Sequence, residues 1–122
     1  MNFLIDTHAP VWFLEGNNSL SKSNRQITAD SQNNISVSIA SIWELAVKIS
    51  IGKITLTRTL SDVINQISFE NIEILSITPQ HALYVSTLPF HHRNPFDRLI
   101  IAQAIVENLN FISADAIVDS YL

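Results

Sequence analysis

Asn2-Phe3-Leu4-Ile5-Asp6-Thr7-His8 is the stretch on which the reading of this chain turns. Phe3, Leu4 and Ile5 form a short apolar run suited to a strand buried on both faces, and an acid follows at once. In a parallel α/β sheet, ligands bind outside the carboxyl ends of the strands. Asp6 also has a purely structural explanation, as N-cap of a helix starting near His8. The two readings separate only if other acids reach the same edge.

Downstream, the chain alternates between helix and strand patterns. His8 to Glu15 suits a short helix, broken by Gly16-Asn17-Asn18. A second helix runs from a cap at Ser19 or Ser21 to about Gln32, and Ile35 to Ser38 is a second strand. Ser41 and Glu44 have capping-box spacing at the start of a helix that runs through Ile51, with Gly52 as its left-handed terminator. Leu60 to Phe69 is amphipathic, and Ile72 to Leu75 is a third strand. Thr78 caps a helix from Pro79 to about Thr87. After the loop Leu88 to Arg93, Asn94 caps a nearly all-apolar helix from Pro95 to Asn108. Asn110 to Ser113 is a fourth strand, and Asp115 to Tyr121 suits one or two final turns. This alternation predicts an α/β fold, with a parallel sheet covered on both faces.

The bulk properties narrow the function. A length of 122 residues fits one domain, and 47% hydrophobic residues suffice for a core. No apolar run is long enough to span a membrane, the N-terminus lacks signal-peptide features, and the chain has no cysteine. These features fit a cytoplasmic protein. A net charge of −4, with eleven acids against seven lysines and arginines, argues against binding nucleic acid through a basic surface alone. No phosphate-binding glycine loop is present.

Four acids stand out, each with a structural alternative. Asp6 and Asp115 follow strand ends and are possible caps. Glu44 fits a capping box, and Asp97, three residues after Asn94, complements a helix dipole. By the general rule for parallel sheets, Asp6, Glu44 and Asp115 converge on one edge. Asp97 is expected near the opposite edge unless the loop before it climbs back. Converging carboxylates repel unless a cation offsets them, and an all-oxygen set suits Mg²⁺ or Mn²⁺. The helix starts at Glu44 and Asp97 would help keep these acids ionised.

The chain resembles the PIN-domain ribonucleases, in particular VapC-like toxins of type II toxin–antitoxin systems. The resemblance is carried by Leu4-Ile5-Asp6-Thr7-His8, by Ser41-Ile42-Trp43-Glu44-Leu45-Ala46-Val47-Lys48, by His92 to Ala104 with its Asn94-Pro95-Phe96-Asp97 core, and by Ile112-Ser113-Ala114-Asp115. It implies a three-layer α/β/α PIN fold and a metal-dependent endoribonuclease. Asp6, Glu44, Asp97 and Asp115 are its catalytic and metal-binding quartet, with Asp97 brought into the site. It further implies a cognate antitoxin that blocks the site, commonly a homodimer, and in-line attack by water that leaves 5′-phosphate and 3′-hydroxyl ends. Two departures stand against the family pattern. Asn94 replaces a frequent Asp, and the chain stops where a fifth, edge strand usually follows, so a sheet of four strands or a shortened end is expected.

Thr7 and Ser113 are candidate outer-shell partners, or else satisfy backbone at strand ends. Lys48 either pairs with Glu44 one turn earlier or meets RNA phosphate. Lys53, Arg58, Arg93 and Arg98 are candidates for a basic rim, with solvated charge as the plain alternative. His91 and His92 are read as loop residues, and Trp12 and Trp43 as core or interface anchors. The rival functions are a non-catalytic PIN-like binding module and a PIN nuclease of RNA processing. An aspartyl-phosphate phosphotransferase is disfavoured because His8 stands where its second acid belongs.

Overall fold

The computed structural model describes residues 1–5, 30, 32–89 and 94–112. The expected helices before Gln32, the final turns, and the candidates Asp6, Thr7, Trp12, His91, His92, Arg93, Ser113 and Asp115 lie outside the described residues.

Four strands, β1 (Asn2–Ile5), β2 (Asn34–Ser38), β3 (Glu73–Leu75) and β4 (Asn110–Ile112), form one sheet in the order β3-β2-β1-β4. Every pairing is parallel. The described helices are α1 (Ile39–Ser50), α2 (Leu60–Phe69), α3 (Pro79–Val85) and α4 (Pro95–Val106). Successive side chains of a strand point to opposite faces, and β1 uses both. Phe3 and Ile5 join Val37, Leu45, Val63 and Ile67 in one core cluster, while Leu4 packs with Ala40, Ile100 and Ala104 in another. The sheet is therefore sandwiched, and the three-layer α/β/α arrangement expected from the alternation is present.

Helix ends explain where the sequence boundaries shift. Gly52 has φ +75, its N–H donates to Ile49 O, and Lys53 N donates to Lys48 O at 2.9 Å. This is the Schellman termination expected at Gly52. Asn71 (φ 61) and Asn108 (φ 54) end α2 and α4 in the same way. Ile72 N is thereby drawn back to Ile67 O, so β3 starts at Glu73 rather than Ile72.

The start of α1 differs more. Its N-cap is Ser38, whose hydroxyl accepts from Ala40 N, so the helix begins directly at the end of β2. Ser41 is not the cap, and Glu44 lies in the second turn. The capping-box explanation of Glu44 and the dipole support expected for it both fall away.

The direction of α4, left open by the sequence, follows from the strand after it. Only residues 107–109 separate Val106 from β4, which is parallel to β1. A helix that feeds the amino end of a parallel strand must run against it, so α4 begins on the carboxyl side. The fully buried Gln103 pins it there. It accepts from Ser38 Oγ at the end of β2 and donates to Ser76 O beyond the end of β3.

Candidate functional site

The site is built around Glu44. This residue is 2% exposed and follows the buried stretch Ala40 to Ile42 on α1. Taking a carboxylate out of water is costly unless it is paired and hydrogen-bonded. Among the described residues, Lys48 Nζ at 2.9 Å and Asn94 Nδ2 at 3.4 Å meet its Oε2. Of the two readings of Lys48, the ion pair one helical turn away is the one the structure shows. The second contact is long and joins residues 50 apart in sequence.

Asn94 uses both ends of its amide. Oδ1 accepts from Phe96 N at 2.9 Å and from Asp97 N at 3.4 Å, capping α4, while Nδ2 reaches Glu44. An Asp here would cap equally well but has no proton to donate when ionised. The amide thus links the first turn of α4, through the backbone of Phe96 and Asp97, to the Glu44 carboxylate. Beside it, Trp43 stands edge-on to Phe96 with ring centroids 4.9 Å apart and planes at 72°. Trp43 is 58% exposed, so it is not a core residue. It follows Ile42 on α1 and meets α4 at Phe96.

The other two acids lie outside the described residues, but the strands that precede them in the chain are described. Ile5 of β1 is in register with Val37 of β2 and with Ile112 of β4. The three strands therefore end side by side, on the edge from which α1 departs.

The basic candidates divide. Arg98 donates from Nη1 to Pro89 O at 3.1 Å and from Nη2 to Val85 O at 3.2 Å, tying the end of α3 and the following loop to α4. Lys53 is exposed. Arg58 lies between two clefts beside α2, one lined by Asp62, Asn65, Gln66 and Phe69.

Sequence reasoning missed the Ser38–Gln103–Ser76 bridge, although a lone glutamine within Leu99 to Val106 was a visible signal. It also missed His81, which is fully buried. His81 Nδ1 accepts from Thr78 N and Nε2 contacts Glu107 Oε1 at 2.8 Å, clamping α3 to the end of α4.

Among the described residues, no group of three or more His, Cys, Asp or Glu is gathered tightly enough to hold a metal. The described half of the proposed quartet supplies Glu44 and Asp97, which are hard oxygen donors of the kind Mg²⁺ and Mn²⁺ take. No described helix is long and apolar enough to cross a membrane.

With this geometry in hand, the chain was compared with known proteins. The PIN domain family model matches residues 3–121. No curated protein matches the sequence. Among solved structures, the chain is similar to that of VapBC2 from Rickettsia felis bound to a DNA fragment from their promoter. The TM-score is 0.71 at 18% identity, with 99% of this chain and 93% of that chain covered. At that identity the likeness is one of fold.

Proposed function

Since the chain belongs to the PIN domain family, we propose that it is a metal-dependent endoribonuclease acting as the toxin of a toxin–antitoxin pair. PIN domains are typically nucleases. The observation that carries the reading is Glu44, a buried carboxylate without a capping role, linked through Asn94 to the start of the Asp97 helix. A carboxylate buried at the ligand-binding edge of a sheet is more readily understood as part of a site than as packing.

Asp6, Glu44, Asp97 and Asp115 would hold one or two Mg²⁺ or Mn²⁺ ions, with Thr7 and Ser113 supporting them from the outer shell. When bound, such an ion lowers the pKa of water and offsets charge on a phosphodiester. Glu44 is held by Lys48 and Asn94 in one orientation, which suits it to direct a water toward the scissile phosphate. Asn94 keeps the first turn of α4 against that carboxylate. Lys53, Arg93 and Arg98 are the candidate contacts for RNA phosphates at the rim. The partner of the solved relative supports a cognate antitoxin for this chain too. A homodimer and a cytoplasmic location complete the proposal.

The test is cleavage of RNA with Mg²⁺, repeated with EDTA, with a DNA substrate, and with Asp6→Asn, Glu44→Gln and Asp97→Asn. EDTA should abolish cleavage, DNA should resist, and each variant should lose roughly 100-fold or more, the upper end of what disturbing a metal site costs. Cleavage by the three variants at the wild-type rate would eliminate the nuclease site and leave a binding module.

A further inference from the structure

We propose that Lys48 is the internal counter-cation of Glu44, a positioning residue whose charge an entering divalent ion has to outcompete. The proposal rests on the reading of Glu44 as a metal ligand.

The burial of the pair is lopsided. The Glu44 side chain is 3% exposed and that of Lys48 29% exposed, with 2.9 Å between Nζ and Oε2. Glu44 is almost fully withdrawn from bulk solvent, so in the metal-free protein its charge is costly without a cation close by. Lys48 supplies one locally. The Glu-to-Lys i,i+4 order places the ammonium one turn from the carboxylate. Its backbone is fixed as well, because Lys48 O accepts from both Lys53 N and Ile54 N in the α1 terminator. Asn94 adds a neutral donor to the same oxygen.

A divalent ion at Glu44 brings two positive charges close to the ammonium, and like charges at such separations repel. Lys48 already reaches solvent, so it can yield. Every binding event nevertheless has to overcome its charge. The pair therefore stabilises the empty site and weakens its hold on metal. Metal affinity is set below what the acids alone would give.

The experiment measures Mn²⁺ binding by the loss of the free-ion electron paramagnetic resonance signal, with thermal melts of the same samples. It uses wild type, Lys48→Met, Lys48→Gln, Lys48→Arg, Glu44→Gln, and Glu73→Gln, at an exposed position of β3, as a surface-charge control. The neutral variants should bind Mn²⁺ roughly tenfold more tightly, as Coulomb repulsion over a few ångströms at high dielectric implies. They should melt lower without metal and gain more from Mn²⁺ than wild type does. Lys48→Arg should restore wild-type affinity, and Glu73→Gln should match it. Lys48→Gln retains a donor for Oε2 and serves if Lys48→Met does not fold. Unchanged or weaker Mn²⁺ binding by the neutral variants, with wild type binding normally, overturns the counter-cation role alone. No binding by wild type, or equal binding by Glu44→Gln, overturns the metal-ligand reading and the proposal with it.

Discussion

Glu44 and Lys48 differ in what each loses when the other is removed. Without Lys48, the carboxylate stays buried with one charged donor fewer. Without Glu44, the ammonium is already 29% exposed and relaxes into solvent. Lys48→Met should therefore lower the stability of the metal-free protein by about 1–3 kcal/mol, the cost of an under-satisfied buried polar group. Glu44→Gln should be nearly neutral, because it removes the buried charge instead of stranding it. Urea denaturation of both variants in EDTA decides the matter, and equal losses would mean that the burial asymmetry is energetically silent. The i,i+4 relation of the two residues was legible in the sequence, because one turn of helix fixes it. The burial of Glu44 was not, because it arises from tertiary packing, in which the contact with Asn94 spans 50 residues of sequence.

At the scale of elements, the helices are stopped locally and aimed by tertiary contacts. Gly52 has φ +75 and no atom near the position a Cβ would occupy. Gly52→Ala should thus cost only the left-handed backbone penalty, about 1–2 kcal/mol, read as a lower melting temperature by circular dichroism. Gln103 has the opposite character. It bridges Ser38 and Ser76 from within the apolar helix α4, and Gln103→Leu would leave the Ser76 carbonyl without this donor and Ser38 without this acceptor. A loss of about 1–3 kcal/mol is expected in urea titrations. RNA cleavage should fall further than stability explains, because α4 carries Asp97. Full cleavage by folded Gln103→Leu would show that the bridge serves packing alone. Gly52 announced itself in the sequence by its residue type. Gln103 was legible only as an anomaly without an assigned partner.

Across the whole molecule, β1 joins the two cores. Leu4 is fully buried and packs toward α4, while Ile5, equally buried, packs toward α1 and α2. Leu4→Ala should cost about 2–5 kcal/mol, the range for large-to-small core changes. The loss should appear as one cooperative transition shifted to lower denaturant in both fluorescence and circular dichroism. Two separated transitions would mean that the layers unfold independently.

The sequence by itself determined the alternation of strands and helices, the parallel sheet, the caps at Thr78 and Asn94, and the stop at Gly52. Each of these depends on hydrophobic spacing or backbone preference within a few residues. It also singled out Glu44 and Asp97, but offered Glu44 a capping role it does not have and left open the edge at which α4 starts. Only the tertiary structure decided those points. The entry of β4 fixes the direction of the helix before it, and a carboxylate becomes buried through the residues that close over it, whose partners lie far along the chain.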